Sequence, residues 1–399
     1  MQSIRKVTED ILWVGCNDRR ITLFENLFPV PKGVSYNSYL LIDEKVALMD
    51  TVDESVTGQF LENLEGALEG RAIDYLIVHH MEPDHCANIR LLMEKYPQMQ
   101  VVGSTKAIQM IGQFFDIEME GRTMTVKEGD TLSVGSHTLR FAMAPMVHWP
   151  EVMVTYDEKE KILFSADAFG TFGALNGTIF NDEVDFEKEY LAEARRYYAN
   201  IVGKYGAQVQ ALLKKASALD IQMICPLHGP IWRTEIDWFI DKYDKWSRYE
   251  PEEKGVAVIY GSIYGHTEQA VNVLACRLAE KGVKNIAVYD VSRTHVSDLI
   301  SEIFRVSHLV LACPTYNAGI YPPMENLLAD MKALSVQKRT VALMENGTWA
   351  AAAGKQILKR LEEMKEMRIL EGSLSLKSTL KSDRAEDLEN FAQQIKEAL

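Results

Sequence analysis

Cysteine is scarce in this 399-residue chain. Its five cysteines, Cys16, Cys86, Cys225, Cys276 and Cys313, form no C-x-x-C pair. The sequence therefore encodes neither a four-cysteine iron site nor a disulfide framework, and electrons for any redox step come from another protein or a small reductant. Long apolar runs are missing too: none approaches the roughly 18 to 20 residues that a membrane helix needs. The first segment, "MQSIRKVTEDILWVG", lacks the apolar core of a signal peptide, so a cytoplasmic protein with no membrane partner is expected. Basic charge is short, with 43 Lys and Arg against 57 Asp and Glu and a formal net charge of -14. That balance argues against nucleic acid as a partner. Neither G-x-x-x-x-G-K-[ST] nor G-x-G-x-x-G occurs, which removes the triphosphate loop and the dinucleotide fingerprint. No internal repeat and no low-complexity tract is visible.

The length suggests two domains of ordinary size, and the composition is globular. The segment "RYEPEEKG", Arg248 to Gly255, is charged and broken by Pro251, as a domain seam is. The expected division is 1–250 and 251–399. Beyond the seam, "VAVIYG", "NIAVYDV", "HLVLACP", "TVALMEN" and "ILEGSLSL" alternate with helical segments, the signature of a doubly wound parallel sheet. Before it, "SYLLID", "KVALMDT", "DYLIVHH", "TLRFAMAP", "EVMVTYD", "KILFSAD" and "IQMICPL" predict a strand-rich half.

The stretch "IVHHMEPDHCAN" packs His79, His80, Glu82, Asp84 and His85 into seven positions after an apolar run. His148 in "APMVHWP", Asp167 in "LFSADAFG" and His228 in "ICPLHGP" each follow another such run. Singly, each has an ordinary structural role as a buried hydrogen-bonded histidine or a helix cap. Jointly, four strand ends finishing in ligand-type residues are hard to obtain from packing alone. His80, Glu82, Asp84, His85, His148, Asp167 and His228 give four imidazoles and three carboxylates, too many for one four-coordinate zinc, and two metals are the natural occupancy. The mixture of nitrogen and oxygen suits borderline to hard cations. His79, His137, His266, His295 and His308 fit no such pattern and read as structural, and Cys86 reads as a small hydrophobe.

In the second half, "VIYGSIYGHTEQAV" has the form strand, tight loop, helix. Ser262, Ile263, Tyr264, Gly265, His266 and Thr267 occupy its loop, where free backbone N–H groups and hydroxyls suit a phosphate. An ordinary turn with Thr267 as helix N-cap is the other reading. Pro314, Thr315, Tyr316, Asn317, Ala318 and Gly319 follow the third strand, and Asn346, Gly347, Thr348 and Trp349 the fourth. Both loops fall at the sheet edge where such folds place a ligand.

The run H-x-E-x-D-H with its distant H, D and H resembles the metallo-β-lactamase superfamily, whose common zinc form is H-x-H-x-D-H. With Glu82 in place of the second histidine and a flavodoxin-like half downstream, nearly the whole chain resembles the flavodiiron proteins, or A-type flavoproteins. The resemblance implies an α/β chain, a metallo-β-lactamase-like αββα sandwich followed by a flavodoxin-like doubly wound parallel sheet. It implies FMN and two non-heme irons, with His80, Glu82 and His148 at one iron, Asp84, His85 and His228 at the other, and Asp167 bridging. It further implies reduction of dioxygen to water or nitric oxide to nitrous oxide. The implied donor is rubredoxin or a similar carrier, or a reduced deazaflavin, and the implied assembly is a head-to-tail homodimer or dimer of dimers. Tyr197 and Tyr198 in "RRYYANIV" are candidate hydrogen-bond donors beside the metals, with Tyr198 taken as catalytic. "ENGTW" departs from the glycine-rich run usual in that family. The competing reading is a zinc hydrolase carrying a flavodoxin module, against which Glu82 speaks.

Overall fold

The computed structural model describes residues 2–399. It divides into two compact units: the chain through Tyr198 together with Ala207–Asp244, and Ala199–Gly206 together with Lys245–Leu399.

In the first unit a seven-stranded sheet runs in the order Arg5–Lys6, Ile11–Trp13, Tyr39–Ile42, Val46–Met49, Tyr75–Val78, Gln100–Ser104, Thr123–Val126. A second sheet holds Thr131–Ser133, Thr138–Met143, Met153–Asp157, Ile162–Phe164 and Met223–Cys225. Side chains alternate along a strand, and here every second one meets the other sheet. Tyr39, Leu41, Ala47, Met49 and Ile77 from the first sheet share one core with Leu139, Phe141, Ile162, Phe164 and Cys225 from the second. The intervening Leu40, Leu48 and Leu76 are buried as well. Helix Thr57–Leu68 buries Phe60, Leu64 and Leu68 at four-residue spacing, the period that puts them on one face. This is the expected αββα sandwich. All seven strands anticipated in this half are present. Strands at Gln100–Ser104, Thr123–Val126 and Thr131–Ser133 were not anticipated.

The layout positions the candidate ligands. Strands Ile162–Phe164 and Met223–Cys225 pair in parallel, with Phe164 beside Cys225. The loops leaving them, which carry Asp167 and His228, therefore start at the same sheet edge. His80 leaves Tyr75–Val78, and Glu82 precedes the one-turn helix Pro83–Cys86 that holds Asp84 and His85.

In the second unit the parallel order is Ile286–Asp290, Glu253–Tyr260, Val306–Tyr316, Thr340–Asn346, then Arg368–Ile369 and Leu374–Leu376. Written by chain position this is 2-1-3-4-5, the flavodoxin-like order. The segment "ILEGSLSL" forms two short strands rather than one. Helix His266–Glu280 starts from Gly265, whose φ of 86° suits a residue without a Cβ. Gly265, not Thr267, is thus the residue at the N-cap.

Candidate functional site

Seven buried residues bring their side chains together in the first unit. Glu82 Oε2 lies 3.2 Å from His80 Nε2 and 3.1 Å from His148 Nε2. Asp167 Oδ2 lies 3.3 Å and 3.1 Å from the same two nitrogens. On the other side, His85 Nε2 and His228 Nε2 are 3.1 Å apart. Both approach Asp84 Oδ2, at 3.3 and 3.2 Å, and Asp167 Oδ1, at 3.2 and 3.7 Å. Ligand atoms about 2.0–2.2 Å from a common ion lie roughly 3.0–3.5 Å from one another. All but the 3.7 Å separation fall in that range, so the spacing is compatible with two coordination polyhedra that share the Asp167 carboxylate. Both oxygens of Asp84 and Oδ1 of Asp167 are buried without a hydrogen-bond partner, a costly state for carboxylates that a cation relieves. The residues fit a pair of metals.

The charges agree. Burial would lower His85 and His148, but Asp84 and Asp167 outweigh it at the first, Asp167 and Glu82 at the second, and both rise to about 9. Asp167 is held well below the carboxylate range despite its burial, chiefly by His85 and His80. The cluster calls for positive charge.

The other nitrogens of the ring ligands are fixed unequally. His80 Nδ1–H donates to Glu151 Oε1 at 2.8 Å, and His228 Nδ1–H donates to the Ser35 carbonyl at 2.7 Å. His85 Nδ1 is buried without a partner. Glu151 escaped the sequence reading, although it stands three residues after His148. Glu25 escaped as well. It lies at the tip of the hairpin Leu23–Phe24, Phe28–Pro29. Much of this residue faces solvent, but its carboxyl end is turned inward, where burial and then repulsion from Glu82 push it up to about 8.

The two candidate tyrosines have different neighbours in the fold, Tyr197 near His228 and Tyr198 near Tyr243. The ring of Tyr197 lies 5.4 Å from that of His228 and 5.0 Å from Phe172, and Asp167 adds to the burial that raises its hydroxyl. Tyr198 instead meets Tyr243 edge-on at 4.9 Å. Tyr197 thus packs its ring against one of the cluster's imidazoles.

Three of the five histidines read as structural are so placed, and a fourth, His266, lines the cavity of the second unit. His79 bonds Asp50 and Thr155 through its two nitrogens, and His295 caps helix Val296–Arg305. His137 joins Asp10 and Glu160 in a third ligand-type group, but the Lys159 ammonium lies 2.6 Å from Asp10 Oδ2 and 3.0 Å from His137 Nε2. A cation already sits there. Cys86 is buried and donates to the Met81 carbonyl, outside the ligand set.

In the second unit the three loops enclose a cavity of about 550 Å³. Fourteen of the sixteen anticipated residues line it, and Ala350, Ala352 and Ser378 join them. Gly265 and Gly319 do not: Gly265 starts the helix, and Gly319 pairs with Tyr316 across a tight turn. Ser262 Oγ accepts from the N–H groups of Gly265 and Glu268, fixing the first loop. Thr315 Oγ1 accepts from Ala352 N–H at 2.9 Å, and Asn346 Nδ2 donates to Thr267 Oγ1 at 3.3 Å. These bonds tie the loops to one another. In the departing loop, a Cβ on Gly347 would come within 2.7 Å of the Ala351 backbone, so its tight turn requires glycine. Tyr264 and Trp349 stand at the rim, 88% and 93% exposed. A concave site with polar groups at a helix N-terminus and aromatics at its mouth fits a phosphorylated ring system.

Comparison with known proteins gives the same two parts. Residues 34–229 match the ODP family of beta-lactamases, and residues 258–395 match flavodoxin. An anaerobic nitric oxide reductase flavorubredoxin of Aliivibrio salmonicida is 32% identical over 364 residues, covering 90% of this chain and 72% of that protein. An uncharacterized protein of Methanocaldococcus jannaschii is also 32% identical, covering 89% of this chain and 88% of its own length. Among solved structures, the rubredoxin oxygen:oxidoreductase of Desulfovibrio gigas superposes with a TM-score of 0.92 at 28% identity, over 99% of this chain and 98% of that one. A mutant flavo di-iron protein from Thermotoga maritima gives 0.90 at 25% identity, over 99% and 98%.

Proposed function

The chain belongs to the flavodiiron proteins, and on that footing we propose that it is a reductase of dioxygen to water or of nitric oxide to nitrous oxide, supplied with electrons by rubredoxin or a similar small carrier. Family membership implies FMN and a diiron centre as the cofactors. When bound, the flavin collects electrons from the donor and the iron pair delivers them to the gas.

The observation that carries this reading is the sharing of one carboxylate by two ligand sets, Asp167 Oδ2 with His80 and His148, Oδ1 with His85 and His228. His80, Glu82 and His148 would hold one iron, and Asp84, His85 and His228 the other. Glu82, where the hydrolases of the superfamily carry an imidazole, adds a hard anionic oxygen that supports an oxidised iron. Phe24, Tyr36 and Tyr197 pack around His228, and these rings keep bulk water from that side of the site. In the flavin half, residues 251–399, the Thr267 hydroxyl and the helix beginning at His266 would hold the phosphate. Tyr316 and Trp349 would flank the ring system. The exposed aromatics at that rim also support a homodimer, since a partner surface would cover them.

Metal analysis joined to gas uptake tests the proposal. Two irons per chain, released FMN, and consumption of dioxygen or nitric oxide by the reduced protein are expected. Zinc in place of iron, with cleavage of an acyl substrate, would overturn it in favour of the hydrolase.

A further inference from the structure

The two metal positions are built with unequal support. At the first, His80 is backed by a carboxylate: Glu151 Oε1 accepts His80 Nδ1–H at 2.8 Å and Met81 N–H at 2.9 Å. The carboxylate is 1% exposed, and its Oε2 has no partner, so its charge is directed into these two bonds. The Ser104 hydroxyl donates to the Glu151 carbonyl at 2.8 Å and accepts Ala107 N–H. This pins the Glu151 backbone to the N-terminus of helix Thr105–Phe114. At the second position the support is weaker. His228 is backed by the neutral Ser35 carbonyl, and His85 by nothing.

We propose that Glu151 is a positioning residue that sets the two metal positions apart, so that the iron held by His80, Glu82 and His148 binds more tightly and has the lower reduction potential, while the iron held by Asp84, His85 and His228 leaves first. The physical ground is general. A buried carboxylate on the far nitrogen of a ligating imidazole fixes its tautomer and orientation and raises its basicity, and losing such a partner typically costs about 10–100-fold in metal affinity. A more basic, more anionic ligand set favours the oxidised ion. Glu82 adds a ligating carboxylate to the same side, but Asp84 does so on the other. The difference between the positions therefore rests on what stands behind the imidazoles.

The inference rests on the diiron reading above. Its test uses the whole iron-loaded protein and the variant Glu151→Gln, which keeps an acceptor for Met81 N–H and His80 Nδ1–H while removing the charge. The reduced protein is exposed to rising concentrations of an iron chelator, and iron per chain is counted with FMN as the internal reference. Wild type should lose its irons in two steps. In the variant the second step should move toward the first by about 10–100-fold, and the lower of the two iron potentials in a reductive titration should rise. An unchanged chelation profile with unchanged potentials in a variant that still holds two irons and FMN overturns the inference alone. If the variant does not fold, wild type decides: both irons leaving in one step overturns the inference, and two separate steps support it. Zinc or no metal in wild type overturns both this and the diiron reading.

Discussion

At the scale of single residues, the seven candidate ligands were legible as a group because the segments that carry them follow apolar runs, and the structure brings all seven side chains together. What was not legible is what stands around them. Glu25 gives no local signal, since it lies on a hairpin more than fifty residues before Glu82. Glu151 read as the first residue of a strand. Tyr197 and Tyr198 are adjacent, and a sequence without its helix phase does not say that the Tyr197 ring lies against His228. Asp167 is the residue whose two oxygens approach both groups of imidazoles. Asp167→Ala leaves two cations without their shared counter-charge, and iron should fall below one per chain with gas reduction lost while FMN stays bound. Iron near two per chain in this variant would remove Asp167 from the site. The imidazoles give a second prediction. In metal-free protein His85 and His148 hold protons up to about pH 9, because Asp84, Asp167 and Glu82 outweigh the burial that opposes the charge. An unfolded chain releases those protons near pH 6.5. Their folded values are raised, so the stabilisation is complete below about pH 6.5 and is lost as pH rises through about 9. Urea midpoints of chelated protein should therefore fall between these two pH values. The iron-loaded form, whose ligand nitrogens hold no proton, should lack that fall. Parallel curves for the two forms would show that the imidazoles carry no such protons.

At the scale of elements, strands with apolar runs were legible, and short or polar-faced ones were not. Thr131–Ser133 buries only Leu132 of its three residues, too little for a pattern of period two to show. The loops of the flavin half were legible from their position after strands, yet their internal bonding was not. Thr315 Oγ1 caps the helix after the next strand, at Ala352 and Ala353, while Thr267 sits inside the first turn of its own helix. Among the described residues the Thr267 hydroxyl accepts one hydrogen bond, from Asn346 Nδ2, and its own hydrogen can be donated toward a phosphate. Thr267→Val keeps the shape and removes the donor. FMN affinity should weaken about 5–10-fold, as loss of one hydrogen bond worth about 1 kcal/mol implies, with iron content unchanged. Titration of deflavinated protein with FMN reads the change. An unaltered affinity would place the phosphate away from Thr267, and loss of iron together with FMN would mean that the substitution acts through folding.

At the scale of the whole molecule, two units were legible from the seam at Arg248–Gly255, but their membership was not. The second unit takes in Lys245–Glu250 and the segment Ala199–Gly206, and a side chain far along the chain explains why. Arg339 is 1% exposed, and among the described residues its hydrogen bonds all go to backbone carbonyls. Its guanidinium donates to the carbonyls of Ile303 and Phe304 in the last turn of helix Val296–Arg305, to Gln337 and Lys338, and to Tyr249 at 2.7 Å. The Tyr249 hydroxyl in turn donates to the Gly203 carbonyl at 2.8 Å. One buried cation thus satisfies the negative end of a helix and ties the seam to it. Burial pulls its pKa down only to about 9, so the charge persists at neutral pH. Arg339→Met fills the space but leaves several buried carbonyls unpaired, and should cost about 3 kcal/mol or more. Arg339→Lys should not rescue it, because an ammonium cannot reach the same carbonyls with three donors in place of a planar fork of five. The seam should loosen first, so trypsin should cut at Lys245 or Arg248 faster in Arg339→Met than in wild type, before the melting temperature is reached. Equal cleavage rates with an equal melting temperature would show that Arg339 holds neither the helix end nor the seam.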